Sequence, residues 1–116
     1  MRNENLAVQA TLRILCGGKA FGPGIARLLE GVRDYGSLRR SAAEMGMSYN
    51  KAWNIVRESE KLLGFALMER RIGGARGGGA VLTAQGAEML TRYRAFEREA
   101  QATLRDLLHK HFEGIE

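Results

Sequence analysis

The chain has 116 residues, enough for one domain with a single core. Its 18 Lys and Arg against 13 Asp and Glu leave a net charge of +5, which suits a polyanionic partner, although a basic surface also serves solubility alone. Cys16 is the only cysteine, which excludes an internal disulfide and a cysteine-based zinc site and fits a reducing compartment.

Leu6 to Cys16 alternates apolar and polar residues, with Leu6, Val8, Ala10, Leu12, Ile14 and Cys16 on one side. Period two over this length predicts a half-buried strand, with Cys16 filling space on it. Gln9 and Arg13 interrupt the stretch, so it reads neither as a secretory leader nor as a membrane span. A cytoplasmic location with no membrane partner is expected. Gly17-Gly18 predicts a hairpin turn returning through Lys19 to Phe21. Such a hairpin needs a further sheet edge, from the rest of the chain or from a second subunit.

Gly22-Pro23-Gly24 opens a helix in which Ile25, Leu28, Leu29, Val32 and Tyr35 recur at helical spacing, closed by Gly36. Residues 36–64 then read as two short helices joined by a tight turn. Ser37 is an N-cap, Leu38, Ala42 and Met45 share a face, and Gly46 suits the left-handed conformation that turns the chain. Ser48 caps the second helix, whose buried stripe is Ala52, Ile55 or Val56, Ser59 and Leu63. Its remaining face carries Tyr49, Asn50, Lys51, Asn54 and Arg57. Asn suits adenine, Arg suits guanine, and Lys or Tyr suits a phosphate or base edge. Helix–turn–helix spacing also occurs in plain bundles, where such a face is merely solvated.

Phe65 to Ile72 reads as a strand entry, residues 73–79 as a glycine-rich loop bearing Arg76, and Ala80-Val81-Leu82 as the return. This is a wing able to reach flanking DNA. A nucleotide-phosphate loop is rejected for want of a Gly-Lys-Ser/Thr ending. From Thr83 to about Phe112 runs one helix of some 45 Å. Met89, Tyr93, Phe96, Ala100, Leu104, Leu107 and Leu108 approach a heptad seam and predict homodimerisation. The alternative is that its first half packs on its own domain and the rest is exposed. His109 and His111 do not share a face, so no metal is expected, and no catalytic constellation stands out. The reading is therefore a non-enzyme without cofactors.

Several motifs carry a resemblance. Gly22-Pro23-Gly24, Gly36-Ser37-Leu38, Met45 through Trp53, and Gly73-Gly74 through Gly77-Gly78-Gly79-Ala80-Val81-Leu82-Thr83 resemble the N-terminal domain of ModE-type molybdate-responsive regulators. Leu63 to Arg71 is also similar to the segment after the recognition helix in LysR-type regulators. The resemblance spans nearly the whole chain. It implies a mainly α fold with a small β component, a winged helix–turn–helix over residues 1–82 joined to a dimerisation helix over 83–116. It also implies that Ser48, Tyr49, Asn50, Asn54 and Arg57 face the groove of double-stranded DNA. Ser37, Arg39, Arg40, Lys51 and Arg76 complete the expected DNA-facing set, while Trp53 is expected to pack. ModE-type regulators carry molybdate-binding domains beyond such a helix; none is expected in this sequence, so oxyanion sensing is not carried over. A protein-interaction adaptor, or a regulator with an oxyanion at its dimer interface, remain the alternatives.

Overall fold

Pro23 in the first turn and apolar residues at three- and four-residue steps produce α1 (Pro23–Tyr35), which buries Ile25, Ala26, Leu28, Leu29 and Val32. The computed structural model describes residues 5–72 and 79–115. Helices α2 (Leu38–Glu44) and α3 (Tyr49–Leu63) pack on α1 and bury Leu38, Ala42, Ala52 and Val56. Of the two stripe positions left open by spacing, Val56 is buried and Ile55 is only half-buried.

The turn between α2 and α3 follows from its backbone hydrogen bonds. Gly46 stands at φ +70°, its N–H donates to Ala43 O at 3.0 Å, and Met47 N–H donates to Ala42 O at 3.0 Å. These two bonds form a Schellman motif, which satisfies the last carbonyls of α2 and redirects the chain. Two serines are buried in the helical core. Ser41 Oγ donates to Leu28 O at 2.8 Å and Ser59 Oγ donates to Ala20 O, so neither hydroxyl loses a partner on burial.

Strands β3 (Met68–Arg71) and β4 (Gly79–Leu82) form the antiparallel wing, paired from Met68↔Leu82 to Arg71↔Gly79. Pairing begins at Met68, and Leu67 N–H just before it donates to a carboxylate of α3. Ala80 N–H donates to Gly36 O at 2.9 Å and ties the wing to the end of α1, while Thr83 N–H donates to Leu67 O at 3.0 Å across the wing's own root. Arg76 and the glycines around it lie outside the described residues.

The N-terminal segment differs from expectation. Only Ile14–Leu15 (β1) pairs with Lys19–Phe21 (β2), through a turn with Gly17 at φ +72°. Residues 6–13 join no sheet and form no regular element. The expected alternation holds only in part: Val8, Leu12 and Ile14 are half-buried while Leu6 and Ala10 are exposed, and the surface they face is a helix. That helix is α4 (Ala84–Phe112), whose Tyr93 hydroxyl donates to Leu12 O at 2.8 Å and whose Gln101 Nε2 donates to Val8 O at 2.7 Å. Side chains thus replace a neighbouring strand. Cys16 is exposed in the turn instead of filling space.

Thr83 caps α4, accepting from Gly86 N–H at 2.9 Å while donating to Ala66 O at 2.7 Å. The first part of α4 belongs to the core. Leu90 and Tyr93 are buried, with the Tyr93 ring set edge-on to Phe21 at 5.0 Å. Arg94 grips Glu30 of α1 through two bonds of 2.9 and 2.6 Å and Glu97 at 2.7 Å. Beyond this α4 runs on, and the molecule measures 62 × 28 × 22 Å.

Burial, with the nearby Glu97 charge adding to it, pushes the Tyr93 hydroxyl up from 10 to about 12. The folded state therefore holds a proton that the unfolded chain releases between these values. Its contribution to stability is complete below pH about 10 and is lost as the pH climbs toward 12. Denaturant titrations of wild type and Tyr93→Phe across this range should differ in slope, the wild type falling faster; parallel curves would contradict this assignment.

Candidate nucleic-acid interface

Both serine caps do structural work at the start of the two-helix motif. Ser37 Oγ accepts from Arg40 N–H and Ser48 Oγ accepts from Lys51 N–H, each at 3.1 Å. The first turn of α3 is thereby aimed outward as a left-over set of N–H groups that favours anions. Asn50, Lys51, Asn54 and Arg57 are all exposed along α3, and Tyr49 is half-buried. Asn54 and Lys51 border a shallow depression with Lys19, Ile55 and Glu58. Arg39 and Arg40 are exposed on α2 but diverge: Arg39 lies over the Tyr49 ring and Arg40 over the Tyr35 ring, both 4.4 Å from the centroid.

Between α3 and the wing base lies an open cleft of about 860 Å³, walled by Ser37, Arg39, Tyr49, Trp53, Arg57 and Arg70 among others. Tyr49 and Trp53 stack at 6.3 Å with their planes 23° apart. The Arg57 guanidinium sits 4.6 Å and that of Arg70 5.6 Å from the Trp53 centroid. Cations over aromatic faces attract through the ring quadrupole, so each ring restrains the arginine on it. Trp53 does pack against the core, as its place beside Ala52 suggests, yet it also borders the cleft.

Glu60 is the residue that sequence reasoning missed. Its Oε2 accepts from Leu67 N–H at 2.7 Å and Met68 N–H at 3.4 Å, and its Oε1 faces Arg57 Nη1 at 3.5 Å. One carboxylate therefore joins the reading helix to the root of the wing. The helix carries two acidic residues, Glu58 and Glu60, and nothing in their spacing singles out Glu60.

The expected seam residues on α4 fall into separate environments. Met89 is half-buried against the core, and Tyr93 lies wholly inside this chain's own core, so its apolar face has no exposed surface to offer. Ala100 and Leu104 border a small cavity with Ala10 and Leu12 of the N-terminal segment. Leu108 is half-buried. Phe96 and Leu107 are the exposed members, at 49% and 42%, with Phe112 at 48% farther on.

Comparison with known proteins settles the family. Residues 26–87, more than half the chain, match the family described as "Bacterial regulatory helix-turn-helix protein, lysR family". The chain belongs to this LysR family. The matched region runs from α1 through the start of α4, and so contains the two-helix motif and the wing. The chain is also similar to the "Molybdenum transport protein ModE" of Azotobacter vinelandii, 37% identical over 75% of this chain and 32% of that protein. Similarity to the "DNA-binding transcriptional dual regulator ModE" of Escherichia coli K12 is 39% identity over 57% of this chain and 25% of that regulator. The "Molybdenum-pterin-binding protein MopB" of Rhodobacter capsulatus is 36% identical over 69% and 30%. The chain thus aligns with about a third or less of the length of these relatives. As a LysR-family member it is a regulatory helix–turn–helix protein and not an enzyme. Among the described residues no group of three His, Cys, Asp or Glu could hold a metal ion, and no helix is long and apolar enough to cross a membrane.

Proposed function

We propose that this LysR-family chain is a sequence-specific transcriptional regulator that binds double-stranded DNA as a homodimer in the cytoplasm. The observation that carries the reading is the outer face of α3. Asn50, Asn54 and Arg57 are exposed on a helix whose opposite face buries Ala52, Val56 and Ser59, and arginines of α2 and the wing flank it. Inserted in a major groove, Asn54 and Arg57 would contact base edges, and Lys51 with the α3 N-terminus would contact phosphate. The wing would follow the adjoining backbone; Arg76, expected to make that contact, lies outside the described residues. Two copies joined along α4 would present two such helices to a pseudo-palindromic site.

Asn54→Ala should weaken binding to a selected operator by about 1–3 kcal/mol while leaving random duplex nearly unaffected. Fluorescence anisotropy on both duplexes measures this. Equal losses on the two would contradict base readout by this residue, and an absence of salt-dependent DNA binding would favour the adaptor reading. The names of the relatives refer to molybdenum. Calorimetry with molybdate should show no heat of binding to this chain, and saturable heat would establish an oxyanion-sensing regulator instead.

A further inference from the structure

Resting on that DNA-binding reading, we infer that Trp53 is a positioning residue for DNA and that the cleft beside it seats a backbone phosphate between Arg39 and Arg70. Arg39 is on α2 and Arg70 on β3, and both side chains are long, exposed and entropically costly to hold still. A continuous aromatic bridge joins them: Arg39 on Tyr49, Tyr49 stacked on Trp53, and Arg70 on Trp53. The indole also carries Arg57, whose second tether is Glu60. Restraint before binding lowers the ordering cost on binding, which is what a phosphate clamp needs.

The charges around the cleft fit an anion. Arg39, Arg57 and Arg70 border it together with two carboxylates, Glu60 and Glu69. The Glu60 carboxylate is already engaged by Leu67 N–H, Met68 N–H and Arg57. Its side chain is only 11% exposed, against 62% for Arg57; at the surface the three arginines outnumber the one exposed carboxylate, Glu69. Nearby, Ser37 and the start of α2 complete the rim. A phosphate seated here would lie between the reading helix and the wing, on the path that the strand must take in joining one to the other.

The test uses a labelled random-sequence duplex of about two helical turns, the intact chain, and salt as the variable. Trp53→Leu should weaken binding on the order of tenfold and lower the slope of log affinity against log salt by about one, the loss of one positioned phosphate contact. Trp53→Phe, which keeps a ring, should recover most of both. Arg70→Gln should weaken wild type clearly but Trp53→Leu hardly at all, since the ring acts through that arginine. Trp53 is the only tryptophan, so its emission in the wild-type protein should also change as duplex saturates; this reading holds even if the leucine variant does not fold. Unchanged slope and affinity in Trp53→Leu, additive losses in the double variant, or unchanged wild-type emission at saturation would each overturn the inference while leaving DNA binding intact. Failure of the wild type to bind any duplex would overturn the DNA reading and this one with it.

Discussion

Gly31→Ala should destabilise the protein by about 3 kcal/mol, a combination of overpacking and one lost buried hydrogen bond. A methyl group at this position would overlap the Ser41 side chain and lie 3.1 Å from Ser41 Cα. Ser41 cannot move aside cheaply. It is 1% exposed and its hydroxyl is committed to Leu28 O. The backbones of α1 and α2 therefore meet at a contact that admits no side chain on one partner. Urea unfolding should show a lower midpoint with an unchanged slope, and Ser41→Gly in the same chain should return part of the loss. A midpoint equal to wild type would show that the two helices separate freely. Because α2 sets the angle of α3, DNA affinity should fall alongside stability.

Phe96→Asp combined with Leu107→Asp should convert the proposed dimer to monomers and weaken operator binding by about 10²-fold or more, through loss of the linked second half-site. These two side chains are exposed at 49% and 42%, so the change should cost the isolated fold little, within about 0.5 kcal/mol each. Leu104 is a poorer choice, because it borders Ala10 and Leu12 and its replacement would also disturb the N-terminal segment. Sedimentation equilibrium at several concentrations decides the matter. A dimer mass that survives the double substitution would remove α4 from the interface.

The helical part of this fold is legible because its punctuation is local. Ser37, Gly46 and Ser48 act on backbone groups three to five residues away, and those bonds form where spacing places them. Residues 6–16 show where that legibility ends. Alternation reports that one side of an extended chain is covered, but not whether a strand or a helix covers it, nor whether Tyr93 and Gln101 will supply the donors. Heptad spacing has the same blindness at Tyr93, since a core-facing stripe and a partner-facing stripe share one period. The role of Glu60 depends on residues 67 and 68 returning beside α3, and the bridge through Trp53 depends on β3 bringing Arg70 to the indole. Nonlocal juxtapositions of this kind leave no trace in spacing.

The bond from Gln101 to Val8 lies eight residues, more than two helical turns, beyond the one from Tyr93 to Leu12. With Arg94 clasping Glu30 between them, α4 is tied as far as Gln101, to α1 directly and to the N-terminal segment beside it. In a dimer joined through α4 the angle between the two reading helices would be handed across without a hinge. Each inserted base pair turns one half-site by about a tenth of a helical turn, so a stiff frame converts operator spacing into a selective feature. Base content then governs each half of the site, while the geometry of the frame governs which pairs of halves are recognised as one.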